Sequence, residues 1–192
     1  MNSEKKRCPW PSKEPLLIKY HDKEWGIPVH NDKKLFEFLL LEGFQAGLSW
    51  LTIMRKRKNF KKAFDNFDFN KVASYDRKKI DSLLKDEGII RNKLKIESVL
   101  TNAKAFLQVR KEFGTFDKYI WGFTKGKQIH NKFKTSKNIP AKTELSDTIS
   151  KDLINRGFKF VGSTIIYAHM QATGMVNDHI IECFRYKELS KK

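Results

Sequence analysis

The sequence predicts an all-α fold, and three observations support this prediction. Apolar side chains recur at the helical period along most of the 192 residues, residues that cap helices precede several of these stripes, and no segment alternates in the manner of a strand. Hydrophobic residues make up 40% of the chain, which is enough for a sizeable core. We therefore expect one domain over residues 1–192, in which two helical lobes can share a core.

The apolar stripes divide the chain into eight predicted helices. The first carries Glu42 on the same stripe as its leucine and phenylalanine side chains, and Gly114 ends the longest. The polar, basic and aperiodic segment from Lys125 to Lys142 is predicted to be a loop. In chain order, the helices begin at Asn31 or Asp32, run from Ser49 to Phe64, begin at Asn70, run from Asp76 to Lys85, Asn92 to Phe113, Ser146 to Asn155 and Ser163 to Thr173, and begin near Asp178.

The charge balance favours a polyanionic partner. Lys and Arg number 39 against 22 Asp and Glu, and a net charge of +17 creates a field that attracts nucleic acid. The alternative is a lysine-rich proteome from an AT-rich genome, which accounts for the charge about as well. The first apolar cluster, Leu16 to Ile18, is too short for a signal peptide, and no apolar run has the length of a membrane span. We expect a cytoplasmic protein with no membrane partner.

The two cysteines each lie near a histidine, at opposite ends of the chain. Cys8 and His21 bound "CPWPSKEPLLIKYH", and His179 and Cys183 bound "HIIEC". The spacing of four in the second pair predicts one face of a helix, and two Cys with two His form a closed, structural zinc set that would join the two ends. The alternative is two buried free cysteines and two ordinary histidines, because the first pair matches no common zinc-finger spacing.

Aromatic residues gather near these four positions and near an acidic residue. Trp10, Tyr20 and Trp25 lie within sixteen residues, and Trp50 follows eight residues after Glu42. Proteins that act on a base hold the extruded ring against aromatic faces while a polar group reads its edge, and a carboxyl on an apolar stripe suits that role. The alternative is an ordinary aromatic core with Glu42 at a solvated helix end.

A third feature is the stretch "NRGFKFVGSTIIYAHMQATG" over residues 155–174. Gly157 ends one predicted helix, and Gly162 and Ser163 begin the next, whose free backbone N–H groups can hold a phosphate. Lys159 lies in the turn and adds positive charge. The alternative is a plain pair of antiparallel helices with a glycine cap.

These three features occur together, in this order, in a known family. The chain resembles the type I 3-methyladenine DNA glycosylases, a branch of the helix-hairpin-helix glycosylase superfamily, almost from end to end. The resemblance is carried by "YHDKEWG" (20–26), "LEGFQAGLSWLTI" (41–53), "GIIRNKLKI" (88–96), "RGFKFVGSTI" (156–165) and "MVNDHIIEC" (175–183).

The resemblance implies a fold, an activity and a set of site residues. It implies a glycosylase-like helical bundle whose terminal segments are joined by one structural zinc ion, and hydrolysis of the N-glycosidic bond of 3-methyladenine in alkylated double-stranded DNA. Because no lysine is placed to suggest a Schiff base, strand cleavage is not expected. The expected partners are that DNA and the free base, and the expected state is a monomer. The family's positions fall on the zinc ligands Cys8, His21, His179 and Cys183, the pocket acid Glu42 and the aromatic pocket residues Tyr20, Trp50, Trp10 and Trp25. The DNA contacts expected at Lys159, Gly162 and Ser163 come instead from the charge of the turn and the free N–H groups of the helix that follows it.

The chain departs from the family's patterns at three places. Leu17 stands where a relative has tyrosine, which changes one wall of the pocket. The hairpin sequence "FKFVG" keeps only the last two residues of the superfamily's Leu-Pro-Gly-Val-Gly. Asn177 stands where many superfamily members have a catalytic aspartate, so the usual acid is missing.

Because methylation at N3 already makes the base a cationic leaving group, we expect the pocket mainly to select the damaged base. The hypothesis is that Glu42 reads the base edge while Tyr20 and Trp50 sandwich the ring. The alternative from another class is a zinc-stabilised protein that recognises damaged or structured DNA without cutting a bond. A basic structural protein without a pocket is a third reading.

Overall fold

The computed structural model describes residues 5–191, and within this range it contains ten α-helices and two very short strands, so the predominantly helical fold is confirmed. No helix in this range is both long and apolar enough to cross a membrane. The elements are α1 (Pro15–Lys23), α2 (Asp32–Gln45), α3 (Trp50–Ala63), α4 (Phe69–Ala73), α5 (Arg77–Lys85), α6 (Lys93–Phe113), α7 (Phe116–Gly122), β1 (Ile129–His130), α8 (Glu144–Asn155), α9 (Ser163–Ala172), β2 (Val176–Asn177) and α10 (Phe184–Leu189), with 3-10 turns at Asp65–Phe67 and Ser136–Asn138.

Side-chain caps fix the starts of several helices where the sequence predicts them. Asn31 accepts a hydrogen bond from the backbone N–H of Lys34 (3.0 Å), and Asn92 accepts one from that of Lys95 (3.1 Å). Ser49 and Asp76 cap α3 and α5 in the same way. Each cap satisfies one of the free N–H groups of the first helical turn. These local signals act within three residues and are therefore readable from the sequence.

Several elements differ from the prediction. The last helix begins at Phe184 rather than near Asp178, because residues 178–183 form a turn in which the N–H of Cys183 donates to Ile180 (2.8 Å). Helices α1 and α7 were not predicted. Strands β1 and β2 form a parallel pair. β1 lies within the segment predicted to be a loop, and β2 lies between the last two predicted helices. Two-residue strands are too short to show the alternation that identifies a strand in a sequence.

Helix α2 lies at the centre of the molecule and contributes to two apolar clusters. The larger cluster contains Phe36, Phe44 and Phe106 together with side chains from most other helices. The smaller contains Tyr20, Phe38 and both cysteines, and brings α1, α2 and α3 against the end of α9 and the turn before α10. Because Trp50 packs against both clusters, the first turn of α3 lies where they meet.

His169 on α9 predicts a pH-dependent stability. Its ring is fully buried, neither nitrogen has a hydrogen-bond partner among residues 5–191, and burial lowers its pKa from 6.5 to about 4. The unfolded chain takes up the proton first as the pH falls below about 6.5, so folding stability is lost from there down to about pH 4. We expect the buried His169 to lower the unfolding free energy by about 2 kcal/mol as the pH falls from 7 to 5.

Urea unfolding at both pH values checks this expectation. The unfolding free energy of a His169→Leu variant should fall by about 2 kcal/mol less than that of the wild type over that interval. Equal losses in the two proteins would show that the buried ring does not set this part of the pH dependence.

Candidate functional site

A cavity of about 410 Å³ opens between α2, α9, the N-terminal aromatic residues and the loop after β1. It is the place where the predicted acid and the predicted aromatic residues meet. Its walls are formed by Trp10, Tyr20, Trp25 and Trp50, by Glu42 and Gln45 of α2, by Ser136, Ile139, Pro140 and Ala141 of the loop, and by Thr164, Tyr167, Ala168 and Gln171 of α9.

Glu42 is the buried acid of this cavity. Helix α2 is buried along most of its length, and the carboxyl is only 4% exposed although it lines the cavity. Within residues 5–191 it has no hydrogen-bond partner and no ion pair, and burial raises its pKa from 4.5 to about 8. Desolvation disfavours the charged form, so this carboxyl favours the protonated form at neutral pH. A cation in the cavity would restore the ionised form.

The four aromatic rings contact one another around the cavity. Tyr20 and Trp50 have centroids 5.5 Å apart and planes inclined by 50°, and Trp10 and Trp25 have centroids 5.1 Å apart. A base between two rings needs about 7 Å between the flanking planes. The predicted sandwich between Tyr20 and Trp50 is therefore wrong for this arrangement, and a base can contact these rings only from their cavity side. Burial and the neighbouring Glu42 raise the pKa of Tyr20 well above 10.

The site contains residues that the sequence did not indicate. Thr164, Ala168 and Gln171 have the spacing of one face of α9, so their helical pattern could have shown that they share a wall. The loop residues from Ser136 to Ala141 carry no such signal. Leu17 is buried in the smaller apolar cluster and is not among the residues described as lining the cavity.

One buried and one partly buried cation hold the helices that carry the site. Lys95 donates to the carbonyls of Phe44 (2.9 Å) and Ala46 (2.5 Å), which fixes the turn after α2. Arg57 of α3 bonds to Glu24 after α1 and to Glu37 of α2. These contacts join the helices of Tyr20, Glu42 and Trp50, so the positions of the cavity walls depend on one another.

The two cysteines and two histidines come together as the sequence predicts, in a fully buried cluster. Their ligand atoms all lie within 4.8 Å of one another. The distances from His179 Nδ1 are 3.2 Å to His21 Nε2, 3.6 Å to the Cys8 sulfur and 3.5 Å to the Cys183 sulfur. A tetrahedral zinc ion has ligand atoms about 3.3–3.8 Å apart, given its bond lengths to sulfur and nitrogen. The donor set therefore fits zinc.

Hydrogen bonds around the cluster orient both imidazole rings. His21 Nδ1 donates to Asp22 (2.8 Å), and His179 Nε2 donates to the carbonyl of Trp25 (3.1 Å), so the other ring nitrogens turn their lone pairs to the cluster. The hydrogen bond between the two cysteines raises the pKa of Cys8 and lowers that of Cys183. Metal binding requires both thiols to lose their protons, so a divalent cation at this cluster would release them. His179 and Cys183 do not lie on one face of a helix, as their spacing predicts, because both belong to the turn before α10.

The turn between α8 and α9 holds a bulky residue in a backbone conformation that favours glycine. Phe160 adopts a positive φ of 54°, at the position where the superfamily pattern has its first glycine. Such a conformation costs a bulky residue about 1 kcal/mol. Asn102 compensates by bonding both backbone groups of Lys159, at 3.0 and 2.7 Å, while Phe160 packs against Gly43 of α2. Contacts from α6 and α2 therefore fix the turn at Phe160, while Gly157 takes the other left-handed position, with a φ of 90°.

The predicted phosphate site at the start of α9 is only partly free. Gly162 precedes the helix with no side-chain cap, and a Cβ at this position would meet no atom within 4 Å. The hydroxyl of Ser163, however, lies 2.8 Å from that of Ser146 and hydrogen-bonds to Asp147, which lowers the pKa of that carboxyl. The backbone N–H groups of α9, with the exposed Lys159, are the groups left for an anion.

Comparison with known proteins agrees with this geometry. A sequence model of the methyladenine glycosylase family matches residues 10–186. The chain is 46% identical over 180 residues to DNA-3-methyladenine glycosylase 1 of Escherichia coli K12, covering 94% of this chain and 96% of that protein.

Solved structures extend the agreement to the fold. A crystal structure of 3-methyladenine DNA glycosylase I superposes with a TM-score of 0.91 at 44% identity, over 93% of this chain and 98% of that one. A tyrosine-to-phenylalanine variant of 3-methyladenine DNA glycosylase I in complex with 3-methyladenine gives a TM-score of 0.90 at 31% identity, over 93% and 96% of the two chains. The chain therefore belongs to the methyladenine glycosylase family.

Proposed function

We propose that this glycosylase removes 3-methyladenine from alkylated double-stranded DNA by hydrolysis of the N-glycosidic bond, which leaves an abasic site. The observation that carries the proposal is the buried, unpartnered Glu42 in an aromatic-walled cavity. A buried carboxyl without a counter-charge is costly, and a cationic base supplies that charge. A related protein at 31% identity has been crystallised with 3-methyladenine.

The reaction needs little chemical assistance from the protein. When the glycosidic bond breaks, its electron pair leaves with the base, whose positive charge is thereby neutralised, so the leaving group needs no proton. Water bonds to the sugar carbon and gives its proton to solvent. Glu42 loses its own proton when the cationic base enters, because the nearby positive charge lowers its pKa. The ring faces of Tyr20 and Trp50 add cation–π attraction.

Selection between damaged and undamaged adenine follows from the same charges. Neutral adenine has nearly the same outline but offers Glu42 no counter-charge. Each charge-assisted or cation–π interaction that the neutral base cannot make is worth about 1–2 kcal/mol, so two or three such interactions give a large discrimination. Catalysis and recognition thus use the same groups of the cavity.

Leu48 is the residue we propose to fill the space that the extruded base leaves in the duplex. It is a 39% exposed apolar side chain in the turn between α2 and α3, between the cavity residues Gln45 and Trp50. Proteins that extrude a base insert apolar side chains into the stack. We expect Leu48→Ala to slow base release from duplex DNA about tenfold and from single-stranded DNA much less.

Side-by-side rate measurements on the two substrates check this expectation. Leu94→Ala, which removes another exposed leucine far from the cavity residues in sequence, serves as the matched control. An equal loss on both substrates would contradict a role in duplex opening.

The proposal includes hydrolysis without strand cleavage. The residues that line the cavity, within the part of the chain that the structure describes, include no lysine that could form a Schiff base with the sugar. DNA would be held by the backbone N–H groups that follow Gly162 and by Lys159, as a helix-hairpin-helix contact. Borohydride treatment during turnover should trap no covalent DNA adduct, and a trapped adduct would refute this part of the proposal.

We also propose that Cys8, His21, His179 and Cys183 hold one structural zinc ion. When bound, zinc supplies no step of the reaction, because four protein ligands leave no open position for water. The ion would join the N-terminal segment to the turn before α10, where the backbone N–H of Phe184 already donates to Lys6 (2.9 Å). We propose that the protein acts as a monomer in the cytoplasm.

Release of free base tests the proposed function. The protein is incubated with methylated duplex DNA, and the supernatant is analysed for free 3-methyladenine, with zinc content measured on the same sample. Binding without release, by a folded and zinc-loaded protein, would instead support a non-catalytic protein that recognises damaged DNA.

A further inference from the structure

Asp178 is a buried carboxylate that does not line the cavity but contacts two residues that do. It is 1% exposed and follows β2. Its Oδ2 accepts hydrogen bonds from the hydroxyl of Tyr167 (2.6 Å) and from Nε2 of Gln171 (2.8 Å), and its Oδ1 accepts one from Nδ2 of Asn131 (2.7 Å). Tyr167 and Gln171 line the cavity from α9, whereas Asp178 and Asn131 are not among its lining residues.

The chemistry of a carboxylate fixes the direction of these bonds. A carboxylate has acceptor oxygens and no donor, so Tyr167 and Gln171 must both donate to it. The phenol has one hydrogen, and Asp178 uses it. The amide of Gln171 is held with its nitrogen towards Asp178, which turns its carbonyl oxygen away from that carboxylate. The polar atoms that these two side chains have left for a ligand are therefore mainly acceptors.

We propose that Asp178 is a specificity-determining positioning residue that makes the α9 wall of the cavity accept hydrogen bonds rather than donate them. This inference rests on the proposed function. The exocyclic amine of an adenine lesion has two N–H groups, so Glu42 can take one and the α9 wall the other. A guanine lesion has a carbonyl oxygen at the same ring position, and an acceptor facing acceptors is left without a partner.

The expected consequence is a preference for 3-methyladenine over 3-methylguanine, although both are cationic lesions methylated at the same ring position. Charge and aromatic contacts do not separate these two bases, whereas the direction of the hydrogen bonds does. A site built to bond one partner rejects an analogue that leaves buried polar groups unpaired.

The test uses the full-length, zinc-loaded protein and duplex DNA methylated with dimethyl sulfate, which contains both lesions. The rates of release of the two free bases are measured in one reaction, and their ratio is the readout. Asp178→Ala frees the Tyr167 hydroxyl and the Gln171 amide to donate into the cavity. We expect the ratio of 3-methyladenine to 3-methylguanine release to fall about tenfold.

Asn131→Ala is the matched control, because it removes the third bond to the same carboxylate but leaves the bonds of Tyr167 and Gln171 in place. It should keep the wild-type ratio. If Asp178→Ala does not fold, a Tyr167→Phe and Gln171→Leu double variant, which removes both acceptors from the wall, should lower the ratio instead.

The outcomes separate this inference from the proposed function. A wild-type protein that releases neither base refutes both. A wild-type protein that releases 3-methyladenine, with variants whose two rates fall in parallel at an unchanged ratio, refutes the role of Asp178 alone. A ratio that falls equally in Asn131→Ala also overturns it, because the effect would then come from a loosened network.

Discussion

The Glu42→Gln variant is expected to release 3-methyladenine about 10- to 100-fold more slowly than the wild type at pH 7. Glutamine keeps the size of the side chain but cannot become the counter-ion of a cationic base. The wild-type carboxyl is buried, lacks a partner among residues 5–191 and carries a pKa raised to about 8, so it gains most from the arrival of a positive charge. Single-turnover base release from methylated duplex DNA measures the effect.

Stability provides a second readout for the same variant. A carboxyl with a pKa of about 8 in the folded state and 4.5 in the unfolded state destabilises the fold as the pH rises between these values. The difference in unfolding free energy between Glu42→Gln and the wild type should therefore change by about 3 kcal/mol in favour of the variant as the pH rises from 5 to 8.

Glu87→Gln, the same substitution at an exposed carboxyl whose side chain is 84% accessible, should change neither quantity. Undiminished base release by Glu42→Gln, together with the predicted gain in stability, would show that the buried charge is not used in the reaction.

Loss of zinc is expected to have the largest effect on stability. Removal of the ion with a chelator, or the Cys183→Ser substitution, should lower the unfolding free energy on the order of 5 kcal/mol, which is about 10–20 °C in melting temperature for a chain of this size. The reason is that the four ligand side chains are fully buried and come from both ends of the chain, so the turn before α10 and the segment around Cys8 lose their common anchor. Thermal unfolding with metal analysis on the same sample measures the effect.

His30→Ala serves as the control, because His30 is an exposed histidine that pairs with Asp117 outside the cluster. It should retain the metal and the wild-type melting temperature. A purified wild-type protein without zinc, whose melting temperature is unchanged by added zinc or by chelator, would refute the proposed metal site. Because the ligand set is closed, the fraction of chelated protein that remains folded should keep its rate of base release.

The features that the sequence predicts correctly are those determined by neighbouring residues. The caps at Asn31 and Asn92 and the length of α6 depend on contacts within one or two helical turns. The failure at the last helix shows the limit of such reasoning. The spacing of His179 and Cys183 suits a helix, but the backbone there is held in a turn by distant partners, such as the bond from Ile181 to Phe133 (2.9 Å).

The candidate site likewise has features that the sequence shows and features that depend on distant parts of the chain. The residue types of the site, including Glu42 and the aromatic residues, are visible in the sequence, and the family resemblance assigns them roles. The loop from Ser136 to Ala141 and the network of Asp178 are not visible, because their partners lie on other elements. The turn conformation at Phe160 is also set from outside, by Asn102, which bonds the backbone of Lys159, 57 residues away.

The sequence by itself determined which chemical groups this protein has and where most of its helices lie, since capping and apolar periodicity act over a few residues. Only the tertiary structure decided that Glu42 lacks a counter-charge, that Tyr20 and Trp50 touch rather than form a slot, and that four ligands from both ends of the chain meet at zinc-like distances. The physical reason is that burial, ring geometry and ligand spacing depend on distances between segments far apart in the chain, and local sequence does not encode those distances.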